Sequence, residues 1–154
     1  MINEKSVGII VFRFHPQEGL QYLVLYHRGS YWNFPKGKME LGENESQTAL
    51  RELDEETGLN KLKIVDGWRQ ETEFFFKENR SGKMELIKKK FIIFLAKAQP
   101  NMAVKISSEH NGYGWLDYKT AVKYLKFKSL KSILTEADSY IKDKVDKYKK
   151  LNSK

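Results

Sequence analysis

The chain has 154 residues, a formal net charge of +8, a hydrophobic share of 40% and no cysteine. This size predicts a single globular domain over residues 1–154, and the lack of cysteine excludes disulfides and thiolate chemistry. There is no signal-peptide pattern and no apolar run near the roughly 18 residues of a membrane span, so we expect a cytoplasmic protein without membrane contact.

Two strands are predicted near the N-terminus. Residues 6–14 and 20–26 are apolar, β-branched or aromatic, and a turn-rich segment separates them. The next residues, 27–31, are typical of a loop, which leads into the segment 32–37.

A helix is predicted from about Glu45 to Thr57. Asn44 is a favourable N-cap, Gln47 has the spacing of a capping box, and Gly58 can end the helix in the left-handed conformation. On one face Ala49, Leu50 and Leu53 form the apolar stripe that would be buried.

Three carboxylates converge near the end of this helix. Glu52, Glu55 and Glu56 stand at i, i+3 and i+4, in the turns where the helix dipole disfavours negative charge. Arg51 offsets part of the repulsion, and a divalent cation would offset more. Oxygen ligands favour a hard ion, Mg²⁺ or Mn²⁺. The alternative is a solvated acidic face, which is common on helices.

Further strands and helices follow. Residues 62–76 and 85–98 are predicted as strands joined by a hairpin loop at 78–83, and 112–116 as a short strand. Asp117 is placed to cap a helix that runs to Leu125, and residues 129–149 have the spacing of an amphipathic helix. The pattern is that of a mixed α/β fold.

The segment Gly37 to Leu59 carries a motif. Gly37, then Glu43, then Arg51-Glu52-Leu53, Glu55-Glu56 and Gly58-Leu59 match every fixed position of the Nudix box. The chain therefore resembles the Nudix hydrolases, which implies an α/β/α sandwich with a mixed sheet and metal-dependent hydrolysis of a diphosphate linkage.

The resemblance implies roles for the residues of the box. Glu52 and Glu56 would be the principal metal ligands, together with the backbone carbonyl of Lys36. Glu55 would be a ligand to a further ion or the general base, and Arg51 would orient the acids. Glu43 would support the cluster. Which acid takes the proton is left open, because it varies within the superfamily.

Outside the box, three segments resemble the asymmetrical diadenosine tetraphosphate hydrolases of the animal and archaeal type. They are Tyr31-Trp32-Asn33-Phe34-Pro35-Lys36-Gly37, the segment 89–96 (KKFIIFLA) and the segment 108–116 (SEHNGYGWL). This likeness implies a nucleoside polyphosphate substrate, in the first place diadenosine tetraphosphate, which would be cleaved to ATP and AMP.

By this match Glu109 would be a further catalytic or metal-binding carboxylate, and Lys36 and Lys89 would contact the phosphates. Tyr113 would stack on an adenine, although a core position is the alternative. His110 is predicted to be a hydrogen-bonded structural histidine.

Tyr31 and Trp32 are also assigned to the substrate. Tyr31 replaces the histidine usual in the animal enzymes, which leaves one phosphate contact open. Alternation along a strand allows Phe74 and Phe76, but not Phe75, to share a face as a second stacking aromatic.

The basic residues are concentrated at the C-terminus, where residues 119–154 contain 11 lysines and 4 acidic residues. They form either a solvated helix face or a surface for an RNA backbone. Two alternatives to the dinucleotide hydrolase therefore remain: an RNA 5′-pyrophosphohydrolase, and a nucleotide- or RNA-binding Nudix module without turnover. No protein partner is predicted.

Overall fold

The fold is built on one mixed sheet of seven strands with helices on both faces. The computed structural model describes residues 1–28 and 31–152. In chain order the elements are β1 (Ile2–His15), β2 (Gly19–His27), β3 (Tyr31–Asn33), β4 (Lys36–Lys38), α1 (Glu45–Thr57), β5 (Ile64–Arg80), β6 (Lys83–Lys97), β7 (His110–Leu116), α2 (Tyr118–Tyr124) and α3 (Lys128–Asn152).

Strand β1 is central because both of its edges are paired. Along one edge it runs parallel to β6, from the pair Ile2 and Ile87 to the pair Phe12 and Lys97. Along the other edge it pairs antiparallel with β4 and with β2. Strands β3 and β7 extend the sheet beyond β2, and β5 lies beyond β6. The parallel pair among antiparallel neighbours makes the sheet mixed.

The side chains of the sheet alternate between two buried layers. Ile9 packs with Ala49 and Leu53 of α1 on one face. Its neighbour Ile10 packs on the other face in the cluster that contains Leu134 of α3. The predicted α/β sandwich with a mixed sheet is confirmed, since period-2 alternation divides the apolar residues between two helical layers.

Helix α1 has the predicted bounds. The Asn44 side chain accepts from the backbone N–H of Gln47 at 2.8 Å, and the Gln47 side chain accepts from the backbone N–H of Asn44 at 2.9 Å. Gly58 adopts φ 76° and ends the helix. Local capping signals fix both ends, so the bounds could be predicted without tertiary information.

The predicted hairpin loop at 78–83 is too long. Strands β5 and β6 continue to Arg80 and from Lys83, and only Ser81 and Gly82 form the turn. Both have positive φ, 54° and 81°, which is the conformation that matches the twist of a two-residue hairpin. Cross-strand pairing therefore extends the strands past their apolar residues.

Other bounds also move outward from the prediction. Strand β1 begins at Ile2 because it pairs with β6 there, and α3 extends to Asn152. The short strands β3 and β4, which the sequence did not predict, overlap the segment 32–37. In the predicted loop at 27–31, Gly29 and Ser30 lie outside the described residues. Among the described helices, none combines the length and apolar character needed to cross a membrane.

A buried hydrogen bond joins the sheet to α3. Tyr22 of β2 donates its hydroxyl proton to Asp138 Oδ1 at 2.7 Å, and Asp138 also pairs with Lys142 at 2.8 Å. Tyr22 is fully buried and Asp138 is 5% exposed. Burial and the adjacent carboxylate raise the pKa of Tyr22 far above its ordinary value. The hydroxyl therefore stays protonated and donates.

We expect Tyr22→Phe to lower the free energy of unfolding by about 1–3 kcal/mol, because it leaves a buried Asp138 oxygen without its donor. Urea unfolding followed by far-UV circular dichroism measures the change. Tyr148→Phe is the matched control, since Tyr148 is 69% exposed and its change is expected within about 0.5 kcal/mol. Equal stability of the two variants would contradict a stabilising hydrogen bond between Tyr22 and Asp138.

Candidate active site

Helix α1 carries the acidic residues to the edge of a cavity. Its buried residues Ala49 and Leu53 anchor one side on the sheet. Glu52 and Glu56 lie one turn apart and line the cavity, while Glu55 lies more exposed at its mouth. The predicted convergence of the three carboxylates is present in the structure.

Arg51 contacts most of the acidic residues around the site. Its Nε donates to Glu43 Oε2 at 2.6 Å, and its Nη1 lies 3.1 Å from oxygens of both Glu52 and Glu55. Its Nη2 donates to the backbone carbonyl of Lys38 at 2.9 Å. The bond from Arg51 holds the pKa of Glu43 at about 2. One guanidinium thus orients three carboxylates and fixes β4 against α1.

Gly37 allows β4 to pass directly over Glu52. A Cβ at position 37 would overlap the carboxyl group of Glu52. Gly37 also pairs with Val7 of β1, so the backbone at this position cannot move aside without breaking the sheet. The absence of a side chain creates the space that the Glu52 carboxylate occupies.

Glu56 is the most deeply buried of the acidic residues that line the cavity, at 6% exposed. Burial, with the nearby charge of Glu52, raises its pKa to about 8. Its Oε2 accepts from the backbone N–H of Lys36 at 3.3 Å and lies 3.7 Å from His110 Nε2. His110 is 9% exposed, and its Nδ1 lies 3.2 Å from Ser107 Oγ.

These residues fit a divalent cation. Burial also raises the pKa of Glu52, although Arg51 opposes this shift, so burial disfavours the charged form of both neighbouring carboxyl groups. Within residues 1–28 and 31–152, no group of three or more histidine, aspartate or glutamate side chains is arranged so that it could hold a metal ion by itself. A hard ion would relieve the repulsion between Glu52 and Glu56 and is suited to carboxylate oxygens.

The cavity beside α1, here called the acidic cavity, has a volume of about 470 Å³. Glu109, on the segment before β7, lines it opposite the α1 acids. Lys36 also lines it and is largely buried, which lowers the pKa of the lysine although Glu56 and Glu52 oppose this shift. The structure therefore brings the predicted residues Lys36, Glu52, Glu55, Glu56 and Glu109 to one cavity.

A second cavity of about 380 Å³, here called the aromatic cavity, adjoins the first. Asn33, Lys36 and Lys38 line both cavities, so they form the boundary between them. The aromatic residues that line the second cavity are Tyr31, Phe74, Phe76, Phe91 and Phe127.

Lys89 supplies positive charge to the aromatic cavity. It pairs with Phe74 in the register of β5 and β6, and burial together with Lys36 lowers its pKa to about 8. Lys88 and Lys90 instead pair with Glu73 and Glu71 at 3.6 and 3.4 Å. Alternation thus selects Lys89 alone from the run of three lysines.

Not all predicted substrate residues reach a cavity. Tyr31 lines the aromatic cavity and stacks on His27 at 4.9 Å between ring centroids. Trp32 packs against the core beside Tyr26 and Tyr124 and lines neither cavity. Tyr113 also lines neither cavity, so the substrate contacts of Trp32 and Tyr113 stay predictions from the sequence.

The position of Tyr113 follows from strand register. It is opposite Leu25, which lines the acidic cavity, yet Tyr113 lies one strand further out and is 44% exposed. The alternative that Tyr113 is a core residue is therefore wrong. Phe127, which lies between α2 and α3, lines the aromatic cavity and was not predicted. The Phe127 ring also contacts Phe74, at a centroid distance of 4.9 Å.

Comparisons with known proteins agree with this geometry. A family model described as NUDIX domain matches residues 3–136. The bis(5′-nucleosyl)-tetraphosphatase (asymmetrical) of Mus musculus is 31% identical over 147 residues, which cover 89% of this chain and 95% of the mouse protein. An RNA pyrophosphohydrolase of Nitratiruptor sp. is 29% identical over 102 residues, covering 62% of this chain and 64% of that protein.

Among solved structures, a binary complex of C. elegans Ap4A hydrolase superposes with a TM-score of 0.78 at 25% identity. The alignment covers 91% of this chain and 98% of the C. elegans chain.

We expect Gly37→Ala to keep the fold but to lower the affinity for Mg²⁺ or Mn²⁺ by about 10-fold or more, since the added methyl displaces the flexible Glu52 carboxylate. Isothermal titration measures the affinity. Gly112→Ala is the control, because its Cβ would meet only Tyr26 Cβ at 4.0 Å. Unchanged metal affinity in Gly37→Ala would contradict the role of this glycine.

A second prediction concerns pH. The pKa of Glu56 is about 8 in the folded protein against 4.5 in an unfolded chain, so the folded state holds a proton that the unfolded state has lost. In EDTA, the free energy of unfolding should therefore fall as pH rises from about 4.5 to about 8 and then level off.

Urea unfolding across this pH range measures the effect. Glu56→Gln should reduce the slope, whereas Glu136→Gln, on the exposed side of α3, should leave it unchanged. If the free energy of unfolding changed with pH equally in Glu56→Gln and in the unsubstituted protein, the pH dependence could not be assigned to Glu56.

Proposed function

The chain belongs to the NUDIX family, and from this premise we propose that it hydrolyses diadenosine tetraphosphate asymmetrically, to ATP and AMP. The main support for the proposal is that the acidic cavity and the aromatic cavity adjoin each other. Asn33, Lys36 and Lys38 line both. A cavity with carboxylates suits the reacting phosphates, and a neighbouring cavity with lysines and aromatic rings suits the rest of a polyphosphate and a nucleobase.

Nudix hydrolases generally use divalent metal ions, and we propose Mg²⁺ here, with Mn²⁺ as the alternative. Glu52, Glu56 and the backbone carbonyl of Lys36 would hold the ion, with Glu55 or Glu109 available to a further one. When bound, such an ion neutralises charge on the diphosphate and lowers the pKa of its water.

The protein residues contribute orientation and charge. Arg51 fixes the Glu52 and Glu55 carboxylates through its 3.1 Å contacts. Glu55 and Glu109 are the two candidates for the proton acceptor, because both line the acidic cavity. Lys36 lies between the cavities and would neutralise phosphate oxygens on either side of the cleaved bond.

The charge of the aromatic cavity favours a polyphosphate over a neutral ligand. Its cations outnumber its acids, although Arg80 is already paired with Glu4 and with Glu78. Lys89 and Lys126 remain directed at the cavity, and Lys126 Nζ lies 5.7 Å from the ring centroid of Phe127. The excess of positive charge would attract several phosphates in sequence.

The aromatic rings of this cavity offer a stacking surface. Phe74 is packed against the core, whereas Phe76 and Phe127 are 36% and 37% exposed. We propose that an adenine stacks on these exposed rings. Phe74 supports Phe127 from behind, at a centroid distance of 4.9 Å.

An RNA 5′-pyrophosphohydrolase is the second candidate. The similarity to the Nitratiruptor RNA pyrophosphohydrolase favours it, as does Lys126 at the cavity, next to the lysines of α2 and α3. The proposed site would process a 5′-triphosphate by the same chemistry. A binding module without turnover is less consistent with the set of acids around the acidic cavity.

We expect incubation with Mg²⁺ and diadenosine tetraphosphate to give ATP and AMP in equal amounts, separated by anion-exchange chromatography. Glu52→Gln and Glu56→Gln should each lower turnover by at least about 100-fold, because each removes a proposed ligand. Glu136→Gln is the control and should retain full activity.

The products distinguish the candidates. Two molecules of ADP would contradict asymmetrical cleavage. Release of pyrophosphate from a 5′-triphosphate RNA, with the dinucleotide left intact, would favour the RNA enzyme. Tight binding of the dinucleotide without any product would indicate a binding module.

A further inference from the structure

A third cavity lies on the α3 side of the sheet, away from the acidic residues. It is formed where the last turns of α3 meet the ends of β1, β5 and β6, and its volume is about 740 Å³. We call it the α3 groove. Phe12 and Leu95 form its floor, and Ile141, Val145 and Tyr148 of α3 form its helical wall.

The α3 groove is far from the proposed site. Glu4 of β1 lines the aromatic cavity, whereas Phe14 of the same strand lines the α3 groove. Ten residues of extended strand separate these positions, which corresponds to about 30 Å. The groove therefore has no part in the proposed hydrolysis, and an inference about it does not depend on that proposal.

The walls of the groove are apolar. Leu95 and Ile141 are buried, whereas Phe14 and Tyr148 are 36% and 69% exposed. The apolar stripe of α3 that packs on the sheet up to Ile141 thus continues through Val145 and Tyr148 beyond full contact with the sheet. A sugar or a nucleobase would leave polar atoms unpaired against such walls, so an alkyl chain suits them better.

Lysines surround the opening of the groove. Lys97, Lys144 and Lys149 line it, against a single acid, Asp66. Lys97 Nζ lies 5.3 Å from the ring centroid of Phe14, and Lys144 Nζ lies at the same distance from that of Tyr140. In the part of the chain that the structure describes, none of the three lysines forms an ion pair.

We propose that the α3 groove binds a monomeric anionic amphiphile, with its alkyl chain between α3 and the sheet and its carboxylate, sulfate or phosphate group at the three lysines. The volume lies within the range of small-molecule sites, and such sites are mostly apolar with a few polar groups. The excess of two positive charges at the opening selects an anion over a neutral or cationic amphiphile.

Isothermal titration with dodecanoate below its micelle concentration tests the proposal, with dodecanol and dodecyltrimethylammonium as matched ligands. We expect saturable 1:1 binding of dodecanoate, weaker binding of dodecanol and none of the cation. In the unsubstituted protein, NMR signals of the Ile141 and Val145 methyl groups should shift with dodecanoate. Equal binding of the anion and the cation, or no shift of these signals, would overturn the proposal.

Two variants test the lysines and the apolar walls of the groove separately. The triple variant Lys97→Gln, Lys144→Gln, Lys149→Gln should lower the affinity for dodecanoate by about 10-fold or more and leave the affinity for dodecanol unchanged. Val145→Trp should abolish binding of both by filling the groove, while circular dichroism and hydrolase activity stay as in the unsubstituted protein.

Lys147→Gln is the control for charge, because Lys147 lies outside the groove and pairs with Asp143 at 3.2 Å. It should bind dodecanoate as the unsubstituted protein does, and a loss as large as that of the triple variant would overturn the role of the three lysines. Binding to phosphatidylglycerol vesicles without binding of monomeric dodecanoate would also overturn the proposal, since the occupant would then be a membrane surface.

Discussion

The contacts of the Arg51 guanidinium are the interaction on which the site depends. The Nudix helix carries carboxylates on successive turns near its C-terminal end, where the helix dipole adds to their repulsion. Arg51 compensates by bonding to Glu52 and Glu55 of the same helix and to Glu43, which lies just before it. It also binds the carbonyl of Lys38, so the charge that orients the acids holds β4 in place. The Arg51 side chain therefore both balances the charge of the acidic residues and holds the backbone of β4 in position.

The parts of the molecule that follow from local signals could be predicted from the sequence. The ends of α1 depend on Asn44, Gln47 and Gly58, all of which act within a few residues. The acids of the box face one cavity for a similar reason, since helical spacing alone places Glu52 and Glu56 on one side. The selection of Lys89 from its run also follows from strand alternation, once the register is known.

The parts that depend on distant pairing could not be predicted in this way. Tyr113 lies outside both cavities because β7 pairs with the far side of β2, and no short motif encodes that register. Phe127 reaches the aromatic cavity because the connection between α2 and α3 passes over β5, a contact between residues more than fifty positions apart. Sequence likeness therefore indicated the type of residue, an aromatic that stacks, whereas the place of Phe127 beside the cavity is visible only in the structure.

The parallel pairing of β1 with β6 has a consequence for how the chain reaches its folded state. The partners Ile2 and Ile87, and those that follow in register, are separated by 85 positions along the chain. Hairpins such as β5 with β6 form from neighbouring residues, but the centre of the sheet is completed only when this long loop closes, at a cost in chain entropy. During synthesis, the apolar strand β1 leaves the ribosome long before β6 exists. Until then β2 and β4 can pair with one edge of β1, and the edge that pairs with β6 in the folded state remains unpaired.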